Sequence, residues 1–335
     1  MRELKLIRRA AVAAGAVVLA LGAFAPVAAQ AAAPKTLYVS QGGSDSAPCT
    51  SASPCATVSH ALTLAASGAT IKVSGTINDH DVTIKSPVTI TRWPGGPDGS
   101  RGVLDGTSSG SSVVTVDGGV TGVTLHDLTI QHGGQVGINN FGTLSITDST
   151  MSANPNGITN NGNGTMTVID STISGNTATF SFGAGISNSG TITVIASTIS
   201  GNTGASGGTG GIYSDAGTVR LGATIVAGNT GGNCHAVTAG EIASAGYNLT
   251  SDKTVAACSF TATNDSVNKN PLLGHLASNG GPTKTRLPGA GGPADDVIPK
   301  STSVSGVPVC PGTDQRGVAR PGPSDTRCTI GAVEV

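Results

Sequence analysis

Through the middle of the chain, apolar and polar residues alternate in short runs that keep returning. Leu144-Ser145-Ile146-Thr147, Met166-Thr167-Val168, Ile192-Thr193-Val194 and Val219-Arg220-Leu221 each place one set of side chains on one face and the other set opposite. A period of two is strand periodicity; a helix would space its apolar residues by three and four. After each run comes a variant of one phrase: LTIQHGG, STMSANP, STISGNT, STISGNT, ATIVAGNT. Its threonines fall at Thr129, Thr150, Thr172, Thr198 and Thr224, spaced by 21, 22, 26 and 26 residues. A repeat of that length built from short strands and glycine turns predicts a β-solenoid. One unit cannot bury its apolar side alone, so the units must stack.

Earlier strands are expected at 70–77, 82–90, 102–106, 112–118 and 122–130, with a break at Trp93-Pro94-Gly95-Gly96. Val58 to Ala66 reads as a short helix with Ala61, Leu62 and Ala65 on one side, placed to cap the solenoid. Beyond Gly231 the repeats fade, and 270–335 is rich in Pro and Gly. The organisation expected is a leader over 1–33, a cap over 34–69, the solenoid over 70–232 and an irregular C-terminal segment over 233–335. Stacked rungs lie about 4.8 Å apart, so eight of them make a rod of about 40 Å. Equivalent residues then form ladders. Ile130, Met151, Ile173, Ile199 and Ile225 are expected inside; Asn154, Asn176 and Asn202 are expected at a corner, with Asn229 one position out of register.

Composition narrows the function classes. Charged residues make up 11% of the chain and the net charge is −1, so neither nucleic acid nor an anionic membrane surface is an expected partner. Arg2, Lys5, Arg8 and Arg9 precede an apolar run from Ala10 to Ala25, then Pro26 and small residues. That is the pattern of a secretory signal peptide, with cleavage after Ala29, Ala31 or Ala33, and it predicts an extracellular protein that leaves the membrane on cleavage. Six cysteines fit an oxidising destination. Nearest-neighbour pairing gives Cys49–Cys55, Cys234–Cys258 and Cys310–Cys328, and no spacing matches a zinc site. A monomer is expected.

The opening Tyr38-Val39-Ser40, Gly43-Ser44-Asp45 and Pro54-Cys55-Ala56-Thr57, with the alanine-rich helix, resembles the cap of secreted right-handed parallel β-helix proteins of the pectin-lyase-like superfamily. The STISGNT repeats are similar to those of bacterial surface and secreted β-helix proteins. Asn270-Pro271-Leu272-Leu273, Ser278-Asn279-Gly280-Gly281-Pro282-Thr283, the run from Thr313 to Pro321 and Ile330-Gly331-Ala332 resemble the choice-of-anchor Q domain. The resemblance implies an all-β right-handed parallel β-helix. It also implies a freely secreted member, because no second apolar span precedes Val335.

Candidate chemistry follows from that fold. Asp127, Asp148 and Asp170 share one repeat position, which predicts carboxylates one rung apart, and His126 stands beside them with His132 nearby. Such a row is suited to calcium or to acid–base work on a polysaccharide, where glycosidases place two carboxylates about 5 to 9.5 Å apart. The same position also reads as a turn that wants Asp, since later copies carry Ala196 and Gly222. Further acids are Asp105, Asp117 and Asp215. Lys72, Lys85, Arg92, Arg101 and Arg220 are scattered and are not expected to gather beside the acids, which weighs against lyase chemistry. For sugar stacking the candidates are Phe180 and Phe182, in the insertion at 177–185, with Phe141 and Tyr213 on neighbouring rungs. The expected function is a non-catalytic extracellular module that binds a glycan or a cell surface or serves a structural role, without a cofactor. The alternative is a polysaccharide lyase or glycoside hydrolase, with calcium only in that case.

Overall fold

The computed structural model describes residues 36–99, 101–179, 183–238, 240–254, 258–310, 312–323 and 325–335. The expected signal peptide lies outside them, as do Phe180 and Phe182. The chain forms a right-handed parallel β-helix with three sheets, here A, B and C. Strand β2 (Ala69–Asn78) serves both A and B, bending at Gly75. Among the described residues nine strands stack in A, eight in B and seven in C, with β2 counted in both A and B. One middle rung runs Thr143–Thr147 in A, Thr150–Ser152 in B and Asn156–Asn160 in C.

Why these residues coil is visible rung by rung. In sheet A, Leu144, Met166, Ile192 and Val219 pair in sequence, as do Ile146, Val168, Val194 and Leu221, and all are buried. Sheet B contributes Leu104, Ile130, Met151, Ile173, Ile199 and Val226 to the same interior. Here the structure corrects the expected ladder: its last member is Val226, and Ile225 pairs with Thr198 on the outer side. Thr224 accordingly aligns with Ser197, to whose backbone N–H its hydroxyl lies 3.4 Å away. Shifting that copy by one residue also brings Asn229 into register.

Two asparagine ladders, buried except at Asn229, seal the corners. At the corner leaving sheet B, the amide of Asn154 donates to Asn176, Asn176 to Asn202, Asn202 to Asn229 and Asn229 to Asn233. Each acceptor oxygen also takes the backbone N–H of the residue before it in the series. At the end of sheet C, Asn140 donates to Asn160 and Asn160 to Asn188. The second ladder has its own sequence signature, the repeated Gly-Ile-x-Asn of Gly137–Asn140, Gly157–Asn160 and Gly185–Asn188. An amide carries both a donor and an acceptor, so an axial row of them satisfies itself without water.

The N-terminal end is closed by β1 (Thr36–Ser40), which pairs with β2, and by α1 (Val58–Leu64). Thr57 caps the helix by accepting from the N–H of His60, and Asp79 accepts both the N–H and the hydroxyl of Ser59. The helix is shorter than the sequence implied; it stops before Ala65 and buries Val58 and Ala61. Disulfides join Cys49 to Cys55, Cys234 to Cys258 and Cys310 to Cys328.

The coil continues past residue 232, through Cys234–Ala236 in C, Ile242–Ser244 in A and Leu249–Thr250 in B. The C-terminal segment then turns back and lies along the outer side of sheet B. The outward column of that sheet changes character to receive it, from Thr150, Thr172 and Thr198 to Ile225 and Leu249. With Ile195, Ala196 and Ala223, those two residues form a second apolar core against Ala294, Ile298, Val304, Val309 and Ile330. Val304 occupies the space that a side chain on Gly222 would need. Farther along, Gln315 is buried between the coil and the tail. Its amide donates to Thr150 and to Thr283, and its carbonyl accepts from Thr172.

Candidate functional site

The aspartate row lies on the corner between sheets A and B. Asp127, Asp148 and Asp170 have φ of 56°, 51° and 44°, followed by Ala196 at 46° and Ala223 at 51°. This is a one-residue left-handed turn, a conformation Asp tolerates better than most residues. The fifth occupant is Ala223, not Gly222, because Gly222 pairs with Ile195 inside the strand. A tight corner is what the position requires, and the three carboxylates then meet three different fates.

Asp127 is bound by Arg92, whose Nε and Nη2 donate to Oδ2 at 3.3 and 3.0 Å. Asp170 is met by Arg320 from the tail, with Nη1 3.6 Å from Oδ1. Arginines therefore do stand beside the acids, against the expectation from their scatter in sequence: Arg92 comes from a strand two rungs before Asp148, and Arg320 from the tail. Between these pairs lies Asp148, 3.2 Å from His126 Nδ1, which is also 2.8 Å from the Thr147 hydroxyl. His126 Nε2 is 3.6 Å from Asp127 Oδ2. The hydrogen bond to Asp148 raises the His126 pKa against the cost of its burial, and the charges of Asp127 and Asp148 add to the rise while Arg92 opposes it. His132 does not join this group. It sits at the far end of sheet B, 2.9 Å from Asp105.

His126, Asp127 and Asp148 bring potential ligand atoms within 4.8 Å of one another. Calcium takes six to eight oxygens. This set offers two carboxylates and an imidazole, and a guanidinium already holds one carboxylate, so the residues present do not fit calcium. Asp117 stands apart, at the turn after Ser112–Val116.

The tail closes over Asp170. Its Oδ1 is shut off from water and has no hydrogen-bond donor, although the side chain keeps 22% exposure. Burial pushes its pKa up to about 7; Arg320 opposes the rise, and Asp148 and Asp314 add to it. Burial likewise raises Glu334, whose carboxylate lies 3.8 Å from Arg320 Nε. The native state thus retains protons that the unfolded chain gives up at ordinary carboxyl values near 4. Stability from these groups is fullest below that point and declines as pH rises toward 7. Asp81 and Asp105, held below the usual range, act in the opposite sense only in more acid solution. The expected result is a lower melting temperature at pH 8 than at pH 5. Calorimetry checks it, with Asp170→Asn flattening the slope.

Sheet C presents a second surface, polar and without Lys or Arg. Its outward column runs Thr83, Thr115, Asn139, Thr159, Ser187, Tyr213 and His235. Beside it is a cleft of about 360 Å³, whose polar lining includes Asn139, Thr159, Asn161, Ser187, Ser189 and Asp215, with no Lys or Arg. Asn161 donates to Asn139 at 2.8 Å, and Ser189 donates to Asp215 at 2.6 Å. The rings of Tyr213 and His235 stack at 5.4 Å with 5° between their planes. Phe141 is exposed at the corner that ends strand Val136–Asn140. Three rungs, roughly 14 Å, separate it from Tyr213, so the two do not make one platform. His235 is the partner that sequence reasoning missed, because Cys234-His235 falls where the repeat phrase has faded.

No family model and no curated protein matches the chain. Two solved structures resemble it. A pectate lyase, Pel9A, aligns over 90% of this chain and 97% of its own, at 12% identity and a TM-score of 0.47. A rhamnogalacturonan lyase aligns over 90% of this chain and 89% of its own, at 13% identity and a TM-score of 0.35.

Proposed function

We propose that this chain is a secreted, non-catalytic module that binds an uncharged glycan along the outer face of sheet C. One observation carries the reading: a cleft lined mainly by amides and hydroxyls, with one carboxylate (Asp215) and no Lys or Arg, runs beside a column ending in stacked Tyr213 and His235. Sugars are recognised by such amide and hydroxyl groups and by rings that cover their apolar faces. Secretion is supported by the basic-then-apolar N-terminus and by the three disulfides. The tail, in its resemblance to a choice-of-anchor Q domain, serves this reading as a brace that holds the coil rigid.

The test is retention of the protein from about residue 34 on immobilised neutral polysaccharides. Tyr213→Ala should weaken binding about tenfold, the scale of one lost stacking contact of about 1 kcal/mol or slightly more. Binding that ignores both Tyr213→Ala and Ser187→Trp, which fills the cleft, removes the proposal.

A second reading is cleavage of a uronate-containing polysaccharide. It is favoured by the imidazole of His126 and the guanidinium of Arg92 beside Asp127 and Asp148. In that case His126 serves as proton acceptor once neutral, above its raised pKa, and Arg92 offsets negative charge. Release of unsaturated products from polygalacturonate, abolished in His126→Ala, decides for this reading. Under the binding proposal no products form.

A further inference from the structure

Arg286 enters the groove between sheet B and the tail, and its surroundings differ from those of the other shielded arginines. Among the described residues, Arg92, Arg316 and Arg320 are also withdrawn from water, and each meets a carboxylate. Arg286 meets none. Its Nε donates to the Ser174 hydroxyl at 2.8 Å, and neither Nη atom has a hydrogen-bond partner among the described residues. The guanidinium lies over Gly201, where a Cβ would collide with Nη2, and Gly201 holds a φ of +68°. Burial depresses the Arg286 pKa with no anion to offset it. The Nη atoms keep some contact with water, so the guanidinium is half-shielded; losing part of its hydration without a carboxylate partner favours a bound anion.

The space beside it suits such an anion. Arg286 lines a cleft of about 340 Å³ together with the apolar Ala227, Pro271 and Leu273 and the polar Ser200, Ser251 and Asn270. The Ser200 hydroxyl and the Asn270 amide nitrogen make no hydrogen bond to protein among the described residues. Pockets for small ligands begin at about 300 Å³ and combine an apolar wall with a few convergent polar groups. One cation and no acid in the lining call for a monoanion. A planar fork with its terminal nitrogens open matches a carboxylate. We infer that this cleft is a binding site for a one-ring monocarboxylate, separate from the sheet C surface.

The experiment titrates the protein from about residue 34 with cyclohexanecarboxylate, cyclohexanecarboxamide and sodium sulfate, followed by calorimetry. The carboxylate should bind and the amide should not. Arg286→Gln should weaken carboxylate binding at least about tenfold, as expected when a charge-assisted pair is lost. Gly201→Ala should weaken it too, by displacing the guanidinium. Should Arg286→Gln fail to fold, Arg286→Lys keeps the charge and loses the fork, and weaker binding is again expected. Tyr213→Ala should leave carboxylate affinity unchanged, which keeps this outcome distinct from glycan binding. Equal binding of acid and amide, equal binding of sulfate, or full affinity in Arg286→Gln would each overturn the assignment.

Discussion

Replacing Arg320 with Met should unseat the C-terminal segment from the coil. Arg320 has 1% side-chain exposure and reaches Asp170 on the corner, Glu334 near the terminus and the carbonyl of Gly331, the last at 2.6 Å. Met retains much of the volume and none of the charge, so the Asp170 and Glu334 carboxyls each lose the arginine paired with them. Breaking a buried pair from one side costs about 3–5 kcal/mol, more than the pair contributes when whole, because the remaining charge is stranded. The loss should be smaller at pH 5 than at pH 8, since Asp170, with its pKa near 7, is then protonated and has less need of a cation. Limited proteolysis reads this directly. In the variant the tail should be cut at pH 8 while the coil from β2 to Thr250 resists. A variant whose tail stays protected at both values would mean that the apolar contacts of Ile225 and Leu249 hold it without the ion pairs.

The second large effect is expected from Asn176→Ala. This side chain accepts the N–H and the amide of Asn154 and donates to Asn202 and to the carbonyl of Met151. All of these groups are buried, and alanine answers none of them. At about 1–3 kcal/mol for each stranded group, with partial relief from relaxation, the loss should be about 3–5 kcal/mol. Urea unfolding checks it, with exposed Asn163→Ala as a control that should change stability by no more than about 0.5 kcal/mol. Asn176→Asp keeps the acceptor but loses both donations, and it turns a carboxylate toward the Asn202 carbonyl oxygen. It should therefore be no better tolerated than alanine. A small loss in both variants would show that the ladder follows the coil without holding it.

The coil was legible in the chain because its causes are local and repeated. Alternation fixes which side chains face in, and the period of 21 to 26 residues fixes how many fit in one turn. The buried asparagines could be found because each copy places one at the same step. The single error of register, at Thr224 and Ile225, arose because the phrase ATIVAGNT matches its predecessors in letters while the strand pairing is displaced by one residue.

What lay beyond reach involved partners without a common period. Arg92 and Asp127 are 35 residues apart, and Thr172 and Gln315 are 143 apart. Repetition can align residues only within the coil, and the tail has no repeat to align. The sequence by itself determined a stacked, disulfide-bearing parallel coil with a turn at each Asp of the row, because backbone geometry and burial act on neighbours. Only the tertiary structure decided that Arg92 neutralises the first of those acids and that the returning tail buries the third. It alone brought Tyr213 against His235 and left Arg286 without a carboxylate. Charge and solvent access depend on everything that folds into a place, and half of what reaches this corner comes from the far end of the chain.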